Sequence, residues 1–185
     1  MKPWNRGQVV SNISLSQIGF LSTYPPTPCG IATFTKDLVQ AISSSLFTPQ
    51  IIAVSQDDQD IAYPKEVKIV IRKERTQDYQ KAAVYANEEL EMVIIQHEYG
   101  IFGGEDGEVV IEFLDRLKIP AVTTLHTVLY QTSPHQTKVL KKIIQRSDKV
   151  VVMNSLAIPI LEDKYQAPSE KLVVINHGAP SNFLK

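Results

Sequence analysis

The chain has 185 residues, 43% hydrophobic and 21% charged, the composition of an ordinary globular domain rather than of a disordered segment. Lys and Arg number 19 against 20 Asp and Glu, so the net charge of −1 supplies no field that would draw nucleic acid or an anionic membrane. Mean hydropathy is −0.09, and no apolar run approaches the ~20 residues that a bilayer span needs.

Residues 1–16 read as a flexible N-terminal arm. Gln8, Ser11, Asn12 and Ser14 interrupt any apolar core that a signal peptide would need. The single cysteine, Cys29, excludes an internal disulfide and a Cys-rich zinc site. A reducing, cytoplasmic setting is the expectation.

Seven short apolar runs follow: 18–24, 50–54, 67–71, 92–96, 121–125, 149–153 and 172–175. They are rich in Val and Ile and nearly continuous, as strands buried on both faces of a parallel sheet are. Helical spacing appears between most of them. Ile31, Phe34, Leu38, Ala41 and Ile42 form one stripe, and Tyr79, Ala82, Ala83, Ala86 and Leu90 a second. Val109, Val110, Phe113, Leu114 and Leu117 form a third, and Val139, Leu140, Ile143 and Ile144 a fourth. Ser133-Pro-His-Gln136 reads as a helix start, with Ser133 capping, Pro134 at the first helical position and Gln136 reaching back. Asn154 is placed to cap a last helix running to about Tyr165, whose first turns Pro159 delays or bends. The acidic run Asp57-Asp-Gln-Asp60 reads as a solvated loop.

Strand–helix alternation predicts an α/β fold: a Rossmann-like open parallel sheet of about seven strands with helices on both faces, spanning residues 17–180. Ligands of such sheets sit outside the carboxyl ends of the strands, so the residues that follow each strand are the candidates. Gly30 lies where the first helix begins, and its bare backbone suits a phosphate as well as a simple turn. Cys29 sits at the same place, either a small packed thiol or a nucleophile. His97, Glu98 and Tyr99 follow the fourth strand, His126 the fifth and His177 the seventh. Three of the four histidines thus gather at one predicted edge. Each alone is more often a packed, hydrogen-bonded histidine than a catalyst. The segment Tyr99 to Gly107 reads as a mobile lid, because Glu105, Asp106 and Glu108 oppose a phosphate-loop role for its glycines. Neither a G-x-G-x-x-G after the first strand nor a G-x-x-x-x-G-K-[ST] occurs, which disfavours dinucleotide oxidoreductases and P-loop nucleotidases. No G-x-S-x-G occurs either, against an α/β-hydrolase.

Several strings go further. They are Tyr24-Pro-Pro-Thr-Pro-Cys-Gly-Ile-Ala-Thr-Phe-Thr-Lys-Asp-Leu38, Gln96-His-Glu-Tyr-Gly-Ile-Phe-Gly-Gly-Glu-Asp-Gly107 and Val122-Thr-Thr-Leu-His-Thr-Val128. To these add Ser133-Pro-His-Gln136, Ser147-Asp-Lys-Val-Val-Val-Met153 and Val174-Ile-Asn-His-Gly178. In this order they resemble the amino-terminal domain of family 4 glycosyltransferases, retaining enzymes of the GT-B architecture, and most strongly a mannosyltransferase-like branch. The resemblance covers about Gln17 to Pro180.

The resemblance implies one half of a GT-B fold, with the acceptor held here and the nucleotide-sugar held by a carboxy-terminal domain. Gly30 would border the donor diphosphate. His126 would touch the transferred sugar near the reaction centre. His97, Glu98 and Tyr99 would line the acceptor side, with Ser155 and His177 as weaker candidates. The nucleotide-sugar would be a co-substrate, with no tightly bound cofactor and no metal.

Residues 181–185 would begin the link to an absent second domain, so the chain would be inactive alone. A truncated gene, a split enzyme and an expressed fragment all remain open. The expected partners are that second domain and a glycan or lipid acceptor, with no nucleic acid. A lipid acceptor would place the protein peripherally at a membrane. Self-association through the exposed cleft face is a further expectation. The alternative readings are a non-catalytic glycan- or lipid-binding module, or a thiol hydrolase built on Cys29.

Overall fold

A computed structural model describes residues 17–42, 48–56 and 61–178. The N-terminal arm, the acidic run at 57–60 and the expected link at 181–185 lie outside the described residues.

The seven expected strands form one sheet: β1 (Gln17–Ser22), β2 (Thr48–Ser55), β3 (Val67–Arg72), β4 (Met92–His97), β5 (Ala121–Leu125), β6 (Lys149–Val152) and β7 (Leu172–Val174). Their order is β3-β2-β1-β4-β5-β6-β7, and every neighbouring pair is parallel. The carboxyl ends therefore share one edge. Strand order reverses between β1 and β4, where sheets of this kind open a crevice.

Alternate residues of each strand face opposite ways. Leu21 of β1 and Ile52 and Val54 of β2 pack with Tyr79, Ala82, Ala83 and Ala86 of helix α2 (Thr76–Glu89). Phe20, Ile51 and Ala53 turn to the other face and meet Val39 and Leu38 of helix α1 (Gly30–Ile42). Both faces are thus covered, which is why the strands read as unbroken apolar runs.

Helix α3 is confined to Val110–Leu114, shorter than its apolar stripe predicts, since it gives way to turns at Asp115. Helix α4 (Pro134–Arg146) starts as its sequence predicts. The Gln136 amide donates to Ser133 Oγ at 3.0 Å, and the Ser133 amide donates to Gln136 Oε1 at 3.1 Å. Helix α5 (Ala157–Asp163) starts later than Asn154. Asn154 Oδ1 instead accepts from the Leu156 amide at 2.9 Å, making a local turn. Pro159 then falls in the first helical turn, where a missing N–H costs nothing.

One stripe is displaced. The inward residues of α1 are Ala32, Thr35 and Val39, not Phe34. The Thr35 hydroxyl makes this possible by bonding Ser22 Oγ at 2.7 Å and the Ile31 carbonyl at 2.8 Å, which satisfies it inside the core. Phe34 is rolled to the edge of the helix, half-buried, toward the carboxyl ends of the strands.

Candidate functional site at the carboxyl edge

The register of β4 against β5 pairs Gln96 with Thr124 and His97 with Leu125, so His126 emerges one residue past the end of the sheet. Its amide donates to the His97 carbonyl at 3.0 Å. Its ring Nε2 lies 2.8 Å from Oε1 of Gln96, a wholly buried side chain. The Phe34 and His126 rings pack in a T-shaped contact, 4.8 Å between centroids and 88° between planes. The same phenyl ring reaches His177 at 5.3 Å. Phe34 therefore joins α1, β5 and the end of β7. Gly30, one helical turn before Phe34, falls on the same face of α1.

Burial lowers the His126 imidazole below its ordinary 6.5, with the Glu98 carboxylate pulling upward and His177 downward. The ring is neutral at pH 7 and suited to hydrogen bonding rather than charge pairing. Glu98 is held on both oxygens: Thr127 Oγ1 donates to Oε2 at 2.5 Å and the Tyr99 amide to Oε1 at 3.0 Å.

His97 departs from the expected rim. It is 0% exposed, stacked on Phe102 at 6.0 Å and edge-on to Tyr99 at 5.3 Å. Burial first, then His126, drives its pKa down to about 4, so it is a neutral ring beneath the edge. As the last residue of a central strand, its side chain is enclosed by the loop that follows. Tyr99 likewise has its hydroxyl buried, and its pKa is pushed up, chiefly by burial. Both ring nitrogens of His97, the Tyr99 hydroxyl and Gln96 Nε2 have no hydrogen-bond partner among the described residues. His97 thus lies beneath the carboxyl edge rather than at its rim.

The loop after β4 is not a free lid in this arrangement. Ile101 and Phe102 are buried, Lys73 Nζ donates to the Gly100 carbonyl at 2.9 Å and Gln56 Nε2 to the Ile101 carbonyl at 3.2 Å. The Gly103 amide donates to the Tyr79 hydroxyl at 3.1 Å. A short 3-10 turn (Glu105–Gly107) follows, where His135 of α4 meets Asp106 at 2.9 Å and Glu108 at 3.3 Å. Glu105, Asp106 and His135 are a group whose ligand atoms all lie within 4.8 Å of one another.

Gly30 is exposed, and a Cβ there would meet nothing within 4 Å. It leaves the start of α1 open rather than serving a steric need. Ser155 is exposed just before α5. Its neighbours Asn154 and Leu156, with Leu125, His126, Val128 and Ile160, line a cleft of about 250 Å³. His177 is exposed, its Nδ1 2.6 Å from the Gly178 carbonyl. Cys29 is half-buried, its sulfur 3.5 Å from Thr23 Oγ1 and packed against the core. Sequence reasoning missed Gln96, Phe34 and Thr127. A polar Gln ending a Val/Ile run was the one available signal.

A seven-stranded parallel sheet of this order, with helices packed on both faces, defines a Rossmann-like α/β domain. The chain belongs to Glycosyltransferase Family 4, whose model matches residues 28–182. No curated protein sequence matches it. Among solved structures, a glycosyltransferase from Rickettsia africae ESF-5 is similar at a TM-score of 0.62 and 14% identity, over 91% of this chain and 45% of that one. An alpha-glucosyltransferase in complex with UDP and a 13-mer DNA containing an HMU base is similar at 0.57 and 16% identity, over 90% and 43%. The chain thus spans less than half the length of either structure. Among the described residues, no helix is long and apolar enough to cross a membrane.

Proposed function

We propose that this chain is the acceptor-side half of a retaining glycosyltransferase that uses a nucleotide-sugar, of a mannosyltransferase-like kind. The observation that carries the reading is the convergence on His126 of Gln96, Phe34 and His177, drawn from the ends of β4, α1 and β7 beside the crevice. In this reading the neutral His126 hydrogen-bonds a hydroxyl of the sugar in transfer. Gly30 lets the diphosphate approach the N-terminus of α1, whose free amides and dipole favour an anion. Glu98 and Tyr99 border the acceptor, with His97 beneath them, and Ser155 and His177 sit at the margin. No metal is assigned a part, and a cytoplasmic setting goes with a soluble nucleotide-sugar donor.

Most of the electrostatic stabilisation of a departing nucleoside diphosphate comes from positioned cations and donors. We assign these to a carboxy-terminal GT-B domain, so the chain alone is inactive. Mixing it with such a domain should produce sugar transfer, with the anomeric configuration kept when the product is read by NMR. His126→Ala should lower that transfer by about a hundredfold or more. Absence of transfer with every matching domain, or full activity of His126→Ala, would overturn the reading. Calorimetric binding of a glycan or lipid acceptor without transfer would favour a binding module instead.

A further inference from the structure

We propose that Gln96 is a positioning residue that keeps the proton of His126 on Nε2 and leaves Nδ1 as a lone-pair acceptor for a hydroxyl of the bound sugar. This rests on the reading of His126 given above.

An amide oxygen only accepts hydrogen bonds, so the 2.8 Å contact of Gln96 Oε1 with the ring is a bond in the tautomer that carries its proton on Nε2. The bond is shielded, because Gln96 is 0% exposed and water does not compete for it. The ring has little freedom to leave. Its backbone is tied to the His97 carbonyl, and its ring packs T-shaped against Phe34.

Stability alone does not account for a glutamine here. Its Nε2 is buried with no partner among the described residues, a cost that an apolar side chain of similar volume would avoid. Among the described residues, the one bond the amide makes is to His126. Retaining a half-satisfied polar group in a central strand is the local inconsistency expected where function, not packing, sets the residue.

The titratable groups facing the ring are Glu98 on the loop after β4, His177 after β7 and His97 within β4. Glu98 is engaged by Thr127 and the Tyr99 amide, and His97 is enclosed and neutral. Gln96 is therefore the group that selects the tautomer.

The test is a ring-nitrogen NMR measurement on the 185-residue chain at a pH where His126 is neutral. His126→Gln assigns the signals. The wild type should show one protonated and one unprotonated ring nitrogen, with the proton on Nε2. Gln96→Met keeps the volume, removes the acceptor and should bring the two shifts toward each other as the tautomers mix. In the assembly with a carboxy-terminal domain, the same variant should lower kcat by about tenfold or more, with little change in KM for the nucleotide-sugar.

A proton on Nδ1 in the wild type, or ring shifts unmoved in a folded Gln96→Met, would overturn the proposal. If the shifts move as expected but no domain restores transfer, the tautomer assignment stands and the glycosyltransferase reading falls. If His126→Ala abolishes transfer while Gln96→Met changes neither shifts nor kcat, only the role of Gln96 falls.

Discussion

Two segments leave the same edge of the sheet and are built in opposite ways. The loop after β4 is tied down by side chains of Lys73 just past β3, of Tyr79 in α2 and of His135 in the first turn of α4. The stretch after β7, residues 175–178, is exposed throughout. It is attached by the Ile175 amide on the Val152 carbonyl at 2.9 Å and by the contact of His177 with Phe34. The contrast separates a preorganised wall, which needs nothing further to hold its shape, from an open margin whose groups are free to meet another surface. Stability and activity should therefore divide along this line. Substitutions where the wall is tied down cost folding energy, while those in the margin leave folding alone and act only on function.

The sharpest way to break that contrast is Gly103→Ala. A Cβ at Gly103 would stand 2.0 Å from the Lys73 carbonyl oxygen and 2.8 Å from its carbon, both backbone atoms that cannot swing aside. The loop must then lift off the end of β3. Chemical denaturation should show a loss of about 3 kcal/mol or more, at the upper end for overpacking. Gly100→Ala in the same loop meets nothing within 4 Å, and should change stability by no more than about 0.5 kcal/mol. Equal effects at the two glycines would mean that the loop does not rest on β3.

The ground under the wall is testable in turn. Arg72 at the end of β3 donates to both oxygens of Asp78 in α2, at 2.6 and 2.9 Å, and its amide adds a third bond at 3.1 Å. Asp78 is nearly buried, and the Arg72 bonds hold its carboxyl below its ordinary 3.8. A depressed carboxylate stabilises the fold above its unfolded pKa and loses that contribution as pH falls through the folded value. Asp78→Asn should cost about 2 kcal/mol at neutral pH. The difference from wild type should shrink as the pH drops below about 3.8. A gap that persists unchanged in acid would show that the charge is not what the pair contributes.

These elements also mark how far sequence alone reaches. The strands were legible because burial on both faces leaves continuous Val and Ile runs, and α2 because Ala82, Ala83 and Ala86 all face the sheet. The start of α4 was legible because its cap is a local bond pattern. The site was legible only as positions along an edge. That His126 lies at the rim and His97 beneath it depends on how the loop after β4 folds back. Glycine-rich composition reads as mobility there, whereas Gly103 is required by close approach to β3. Periodicity places Phe34 inward because it assumes a wholly apolar face, whereas Thr35 is buried there through its hydroxyl bonds. Gln96 gave no periodic signal at all, since its meaning lies in a contact with a residue 30 positions away.

The smallest expected effect lies where the wall meets α4. Both ring nitrogens of His135 face carboxylates, Asp106 on one side and Glu108 on the other, and only the doubly protonated ring donates to both. The Asp106 bond first, then the charges of Glu105 and Glu108, raise the His135 pKa above its ordinary 6.5. A group whose pKa rises on folding stabilises the fold fully below its unfolded value and loses that contribution as pH climbs through the folded one. His135→Gln should therefore lower the denaturation midpoint slightly near pH ~5.5 and draw toward wild type by pH ~8.5, as the imidazole of the wild type loses its proton. The site is solvent-accessible, so 1 M salt, with its Debye length of about 3 Å, should remove most of the difference. A gap of the same size at both pH values would mean that the wall is joined to α4 by packing rather than by this charge. The contrast with the open margin would then rest on Gly103 and the buried Phe102 alone.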